Sequence, residues 1–143
     1  MPYRFVEGVA IADVTFEATG KTLEELFESA GKAVTNSMVS DLATVEQKIT
    51  KKFTLKAENE EKLLHDFLQE IVYYKDAETL LFNGYSLKIK KEDKGFSLEA
   101  TLKGEHLDMK KHDLIVDVKA VSWHMFKLEK TEKKWKALAI LDV

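Results

Sequence analysis

Two carboxylates at opposite ends of the chain are the residues whose type and placement most directly suggest chemistry. Asp13 stands between Ala12 and Val14 in a stretch that alternates like a strand, and Asp142 closes the apolar run from Ala137 to Leu141, followed by Val143 and its carboxylate. If the first and last strands are neighbours, these oxygen donors converge. Like charges at close range repel and raise each other's pKa unless a cation lies between them. Oxygen-only donors suit hard Ca²⁺ or Mg²⁺ better than Zn²⁺. A lone strand aspartate and a frayed terminus account for the same residues without any metal, and the residues alone leave both readings open.

The four histidines carry less. His65 falls beside the apolar stripe of a helix and reads as a surface or boundary residue. His106 and His112 lie in a polar stretch, where a loop on a rigid sheet either carries a site or exposes a solvated ring. His124, in the segment VSWHMF, is expected inside a strand, buried and therefore partnered. No GxSxG elbow, P-loop, GxGxxG or HExxH pattern occurs, and the six glycines are scattered, so the sequence holds no phosphate-cradling loop. The lysines cluster as Lys48, Lys51, Lys52 and Lys56, as Lys88, Lys90, Lys91 and Lys94, and as Lys133, Lys134 and Lys136. They could form an RNA face, but the interleaved Glu92, Asp93 and Glu132 favour solvated strand edges guarded against aggregation.

Composition sets the frame for these candidates. At 143 residues the chain suits one domain, 1–143. With 45% hydrophobic and 33% charged residues and a single Pro, it is an ordinary globular sequence. Its net charge of −3 disfavours tight, direct binding to RNA or DNA, and the absence of Cys excludes thiolate zinc sites, iron–sulfur clusters, disulfides and a cysteine nucleophile. No export signal or membrane-length apolar run is present, so a cytoplasmic protein is expected.

The elements that must position the candidates follow from periodicity. Residues 5–18 alternate as a half-buried strand, with Val14, Phe16 and Ala18 on one face. Thr22 and Glu25 form a capping box, and Leu23, Leu26, Phe27, Ala30 and Val34 predict a helix over 22–38. Residues 47–57 read as a one-sided strand with a slip near Thr50 and Lys51. Asn59 caps a second helix, whose stripe of Leu63, Leu64, Phe67, Leu68, Ile71 and Val72 should end near Lys75 or Asp76. Strands are expected over 80–90, 95–105, 114–130 and 134–143, with hairpin turns at 92–95 and 130–134 and a polar loop over 102–114. The order βαβα followed by four strands argues an α+β fold, two helices laid on a largely antiparallel sheet.

The segments IADVTFEATG at 11–20, LEELFESA at 23–30, LLHDFLQEIVYYKDAETLLF at 63–82, KGEHLD at 103–108 with His112, VKAVSWHMF at 118–126, and Trp135 with the closing LDV resemble the archease family. The likeness spans essentially the whole chain. The family's opening motif resembles His-Thr-Ala-Asp-Val; Ala12, Asp13 and Val14 keep it, whereas Ala10 and Ile11 replace the His and Thr and remove an imidazole that could brace or bind a metal. The resemblance implies a non-catalytic activator of the RtcB-type tRNA-splicing RNA ligase, one that promotes ligase guanylylation and multiple turnover and alters its nucleotide specificity. It places a divalent metal at Asp13, Asp142 and Val143, expected to be Ca²⁺, with Mg²⁺ or Mn²⁺ as alternatives. His112 and His124 match family positions too. The implied partner is the ligase, with tRNA met only indirectly and no membrane. An alternative is a chaperone or modulator of a tRNA-modifying enzyme such as a tRNA methyltransferase, and a stand-alone metal-dependent hydrolase is the rival from a different class.

Overall fold

The computed structural model describes residues 2–7 and 13–143; Ala10 and Ile11 lie outside them. Eight strands and two helices follow the chain as β1 (Tyr3–Val6), β2 (Val14–Gly20), α1 (Leu23–Met38), β3 (Ile49–Ala57), α2 (Glu60–Glu78), β4 (Leu80–Glu92), β5 (Gly95–His106), β6 (Ala120–Val121), β7 (Lys127–Lys130) and β8 (Trp135–Asp142). The α+β class holds, but the strands form two antiparallel sheets. One has the order β1-β2-β8-β6, with β7 also on β8; the other has the order β3-β5-β4.

The expected single strand over 5–18 is two antiparallel strands, with Phe5 opposite Phe16 and Val6 opposite Thr15. On β2, Phe16 and Ala18 are fully buried opposite Ala139 and Ala137 of β8. Small residues facing a Phe leave room for the helix that covers the sheet. That helix, α1, starts as its capping box predicts: Thr22 Oγ1 accepts from Glu25 N–H at 3.1 Å, and Glu25 Oε2 accepts from Lys21 N–H at 2.8 Å. Its Leu26, Phe27, Ala30, Ala33 and Val34 are fully buried. On α2, Asn59 Oδ1 accepts from Lys62 N–H at 2.8 Å, and Leu63, Leu64, Phe67 and Leu68 are fully buried. Phe67 meets Phe27 at 5.5 Å, so the two helices share one core. The helix runs past Lys75 to Glu78 and stops where Thr79 turns left-handed at φ 54°.

The three-stranded sheet alternates without the expected slip. Ile49, Lys51, Phe53, Leu55 and Ala57 form the half-buried face of β3, and Lys51 stays there because its amine reaches Glu78 at 2.7 Å and lies 5.9 Å from the Tyr74 ring centre. The long alkyl stem buries while the charged head finds an anion. Between β4 and β5 the turn predicted at 92–95 forms, with Gly95 at φ 142°. Gly104 lies beside a bulge at Phe82/Gly84, where a Cβ would come within 1.8 Å of Leu81 O.

The expected strand over 114–130 is the largest departure. Only Ala120–Val121 and Lys127–Lys130 pair with β8. Between them Phe126 N–H donates to Trp123 O at 3.2 Å and Met125 takes φ 57°, so the chain turns. His124 is therefore exposed rather than a buried strand histidine.

Candidate functional site

The pairing of β2 with β8 decides where the two carboxylates lie. Its register runs from Gly20 opposite Trp135 to Val14 opposite Leu141. Asp13 is the residue before Val14 and Asp142 the residue after Leu141, so both lie at the same end of the sheet. On the other side of β8, Ala120 pairs with Asp142, and Lys119 N–H donates to Asp142 O at 2.8 Å. Asp142 is thus held by backbone on its β6 side, and Val143 packs against the core. Asp13 and Asp142 are both exposed, and neither forms an ion pair among the described residues. Two carboxylates without a cationic partner at one strand end offer hard oxygen donors to a divalent cation. Among the described residues no group of three His, Cys, Asp or Glu side chains gathers, so a bound ion would draw on main-chain oxygens or water as well.

A cleft of about 410 Å³ opens beside Asp13, walled by Phe5, Val6, Val14, Asn36, Ile115 and Val116. The segment 114–119 that forms one wall is pinned from below. Ile115 N–H donates to Met38 O at 2.8 Å, and the buried Lys75 ammonium donates to Val118 O at 2.7 Å and to Asp117 Oδ1 at 2.5 Å. Burial pulls the Lys75 pKa down, but the Asp117 and Asp76 carboxylates outweigh it and leave it above the ordinary lysine value.

His65, expected at a helix surface, is buried instead. Its Nε2 donates to Val121 O at 2.8 Å, and its ring stacks on Trp123 with centres 3.6 Å apart and planes 9° apart. Burial lowers its pKa, favouring the neutral ring. Trp123, 54% exposed, and Met125, 49% exposed, follow Val121, which pairs with Leu141 of β8. Sequence reasoning missed this feature, because VSWHMF reads as strand unless the left-handed Met125 is known.

His112 lies in the polar stretch but is buried, and its ring is satisfied on both nitrogens. Nδ1 accepts from Asp108 N–H at 2.9 Å, so the proton sits on Nε2 and is donated to Glu105 Oε2 at 3.1 Å. Glu105 also accepts from Glu46 N–H at 2.7 Å and from the Lys111 ammonium at 2.8 Å. Burial opposes its charge, but these donors prevail and hold the carboxyl at about 2. With every ring nitrogen engaged, His112 braces the loop and is closed to a metal or substrate. His106 is exposed, with Nδ1 3.0 Å from Glu78 O.

Two antiparallel sheets wrapped on two helices, with two acids at one sheet end, define a small α+β protein with a candidate cation site. The model of the Archease protein family (MTH1598/TM1083) matches residues 3–143, and the chain belongs to that family. It is similar to the protein archease of Pyrococcus abyssi, 35% identical over 92% of this chain and 93% of that one, and to that of Pyrococcus furiosus, 32% identical over the same shares. Among solved structures, protein 1598 of Methanobacterium thermoautotrophicum superposes with a TM-score of 0.86 at 33% identity, covering 99% of both chains. An archease from Thermotoga maritima, described as a possible chaperone, shares the fold with a TM-score of 0.62 at 19% identity, covering 94% of this chain and 93% of that one.

Proposed function

We propose that this archease is a non-catalytic accessory protein of an RtcB-type tRNA-splicing RNA ligase in the cytoplasm. It promotes ligase guanylylation and repeated turnover, and alters nucleotide specificity, through a divalent cation held by Asp13, Asp142 and Val143. The observation that supports this most is the β2–β8 register, which carries Asp13 and Asp142 to one end of one sheet. The resemblance to the family supplies the partner and the ion, Ca²⁺ before Mg²⁺ or Mn²⁺. A cation between these carboxylates lowers their mutual repulsion and leaves coordination positions open to a triphosphate on the partner. The test is guanylylation of a purified ligase by GTP with substoichiometric amounts of this protein, beside Asp13→Ala. Acceleration that disappears in the variant supports the reading, and full stimulation by Asp13→Ala defeats the metal role.

The exposed Trp123, Met125 and Ile115 favour a second reading, a chaperone or modulator of a tRNA-modifying enzyme such as a methyltransferase. Large apolar side chains left exposed suit protein contact. The description of the Thermotoga maritima relative as a possible chaperone points the same way. This reading predicts that Asp13→Ala suppresses client aggregation as well as the intact protein does.

A further inference from the structure

Of the lysines that read as solvated strand edges, Lys52, Lys56, Lys88 and Lys90 gather on one face, joined by Lys103. On the three-stranded sheet the side chains pointing away from the helices come from three register rows: Lys52, Thr101 and Ser86; Thr54, Glu99 and Lys88; Lys56, Ser97 and Lys90. A fourth row adds Thr50 and Lys103 beside Gly84. This outer face thus holds five lysines and two glutamates, Glu99 and, at its end, Glu92, which accepts from the Ser97 hydroxyl at 2.8 Å, in a chain whose net charge is −3. None of the five lysines forms an ion pair among the described residues, whereas Lys51, on the opposite face of β3, is held by Glu78. Hydroxyls fill most of the remaining positions, and no apolar or aromatic side chain appears in these rows.

That composition selects among polyanions. A protein interface concentrates its energy in buried apolar and aromatic anchors, and a membrane surface needs side chains that insert; this face has neither. A phosphodiester backbone asks only for cations and hydrogen-bond donors. Alternate residues on a strand lie about 6.6 Å apart and neighbouring strands about 4.8 Å apart. Lys88 and Lys90 are therefore spaced for successive phosphates, and Lys52 and Lys56 form a second row two strands away. The lack of aromatic side chains removes the stacking platform by which sheets read unpaired bases. Recognition here is of the backbone, without sequence preference.

We propose that the outer face of β3, β5 and β4 is a nucleic-acid backbone site, which brings RNA directly to a protein expected to meet it only through its partner. The proposal rests on neither the metal nor the ligase, and its test uses the isolated protein. Fluorescence anisotropy of a labelled single-stranded RNA is measured from about 50 to 200 mM KCl. Five contacts at about 0.7 released cations each give a slope near −3.5 and a loss of affinity of roughly 100-fold across that range. The triple variant K52Q/K88Q/K90Q should keep the wild-type melting temperature and lower the slope to about −1.4. A control of equal charge on other surfaces, K110Q/K133Q/K134Q, should bind as the wild type does. No RNA binding at about 50 mM salt overturns the proposal. Equal loss in the control also overturns it, since attraction would then be diffuse. If RNA is not bound but the sheet variant alone loses a protein partner in co-sedimentation, the face is a protein contact and the nucleic-acid assignment is wrong.

Discussion

Replacing Glu105 by Gln isolates a buried charge whose worth can be calculated. The carboxyl is held at about 2, against 4.5 for an ordinary glutamate, by the Glu46 amide, the Lys111 ammonium and His112. At about 1.36 kcal/mol per pKa unit the difference caps the contribution near 3 kcal/mol. Lys111 is about a third exposed and therefore partly screened, so a range of about 1.5 to 3 kcal/mol is expected. In a chain of this length that corresponds to a fall in melting temperature of roughly 4 to 10 °C. The folded value is depressed, so the contribution is complete above about pH 5 and is lost as pH falls from 4.5 toward 2. Urea unfolding of the wild type and E105Q, followed by circular dichroism, should show the full gap at about pH 7 and less than half of it at about pH 3. Groups common to both proteins cancel in the comparison. A gap that stays constant between those two pH values would refute the assignment of this stability to the ionised carboxylate.

The carboxylate end makes a separate prediction: Ca²⁺ at a hundredfold excess over its Kd should stabilise the wild type by about 2.7 kcal/mol, and D13N or D142N should abolish the rise in thermal melts. Phe67→Ala, at a fully buried position in ring contact with Phe27, Phe53 and Tyr85, should cost about 3 to 5 kcal/mol in denaturant unfolding without new exposed charge. Because burial lowers the pKa of His65, which stacks on Trp123, the emission of Trp123 should stay flat from alkaline pH down to 6.5 and change only below it. H65Q should remove that titration, and a midpoint above 6.5 contradicts the buried, neutral ring.

Elements whose signal is local were legible in the sequence. Thr22 with Glu25 and Asn59 before a six-residue apolar stripe located both helix starts, because capping and periodicity act within one turn. Gly95 marked its hairpin because its turn takes a positive φ that glycine adopts without strain. The failures arose where tertiary contacts override periodicity. Lys51 looked like a break in the strand but is held inward by Glu78 and Tyr74. The run 114–130 is rich in strand formers, yet Lys75 and Met38 take the hydrogen bonds of its first part, leaving only two residues for β6. His65 looked superficial and His112 stayed open between a site and a solvated ring because their partners, Val121 and Glu105, lie 56 and 7 residues away and are fixed only by the fold. Division of the strands into two sheets was equally hidden, since alternation says which face a residue occupies and nothing about which strand lies beside it.

The segment between Glu105 and Asp142 explains how a loop of little regular structure can hold a precise strand end. His112 and Lys111 tie its start to Glu105. Asp113 then accepts from the Ser40 hydroxyl at 2.8 Å, Ile115 donates to Met38, and Lys75 grips Val118 O before Lys119 reaches Asp142 O. The contacts come from separate places in the fold: Glu105 of β5, Met38 of α1 and Ser40 just beyond it, Lys75 of α2 and Asp142 of β8. Such a path is stiff in position while leaving Ile115 and Asp117 turned outward. Rigid backbone with outward side chains is what a surface needs if it must present paired carboxylates without letting their repulsion push the strands apart. Asp13 precedes β2 and Asp142 ends β8, whereas the lysine face lies on β3, β5 and β4, so no strand serves both, and a cation at one end and a polyanion on the other sheet need not compete for the same side chains.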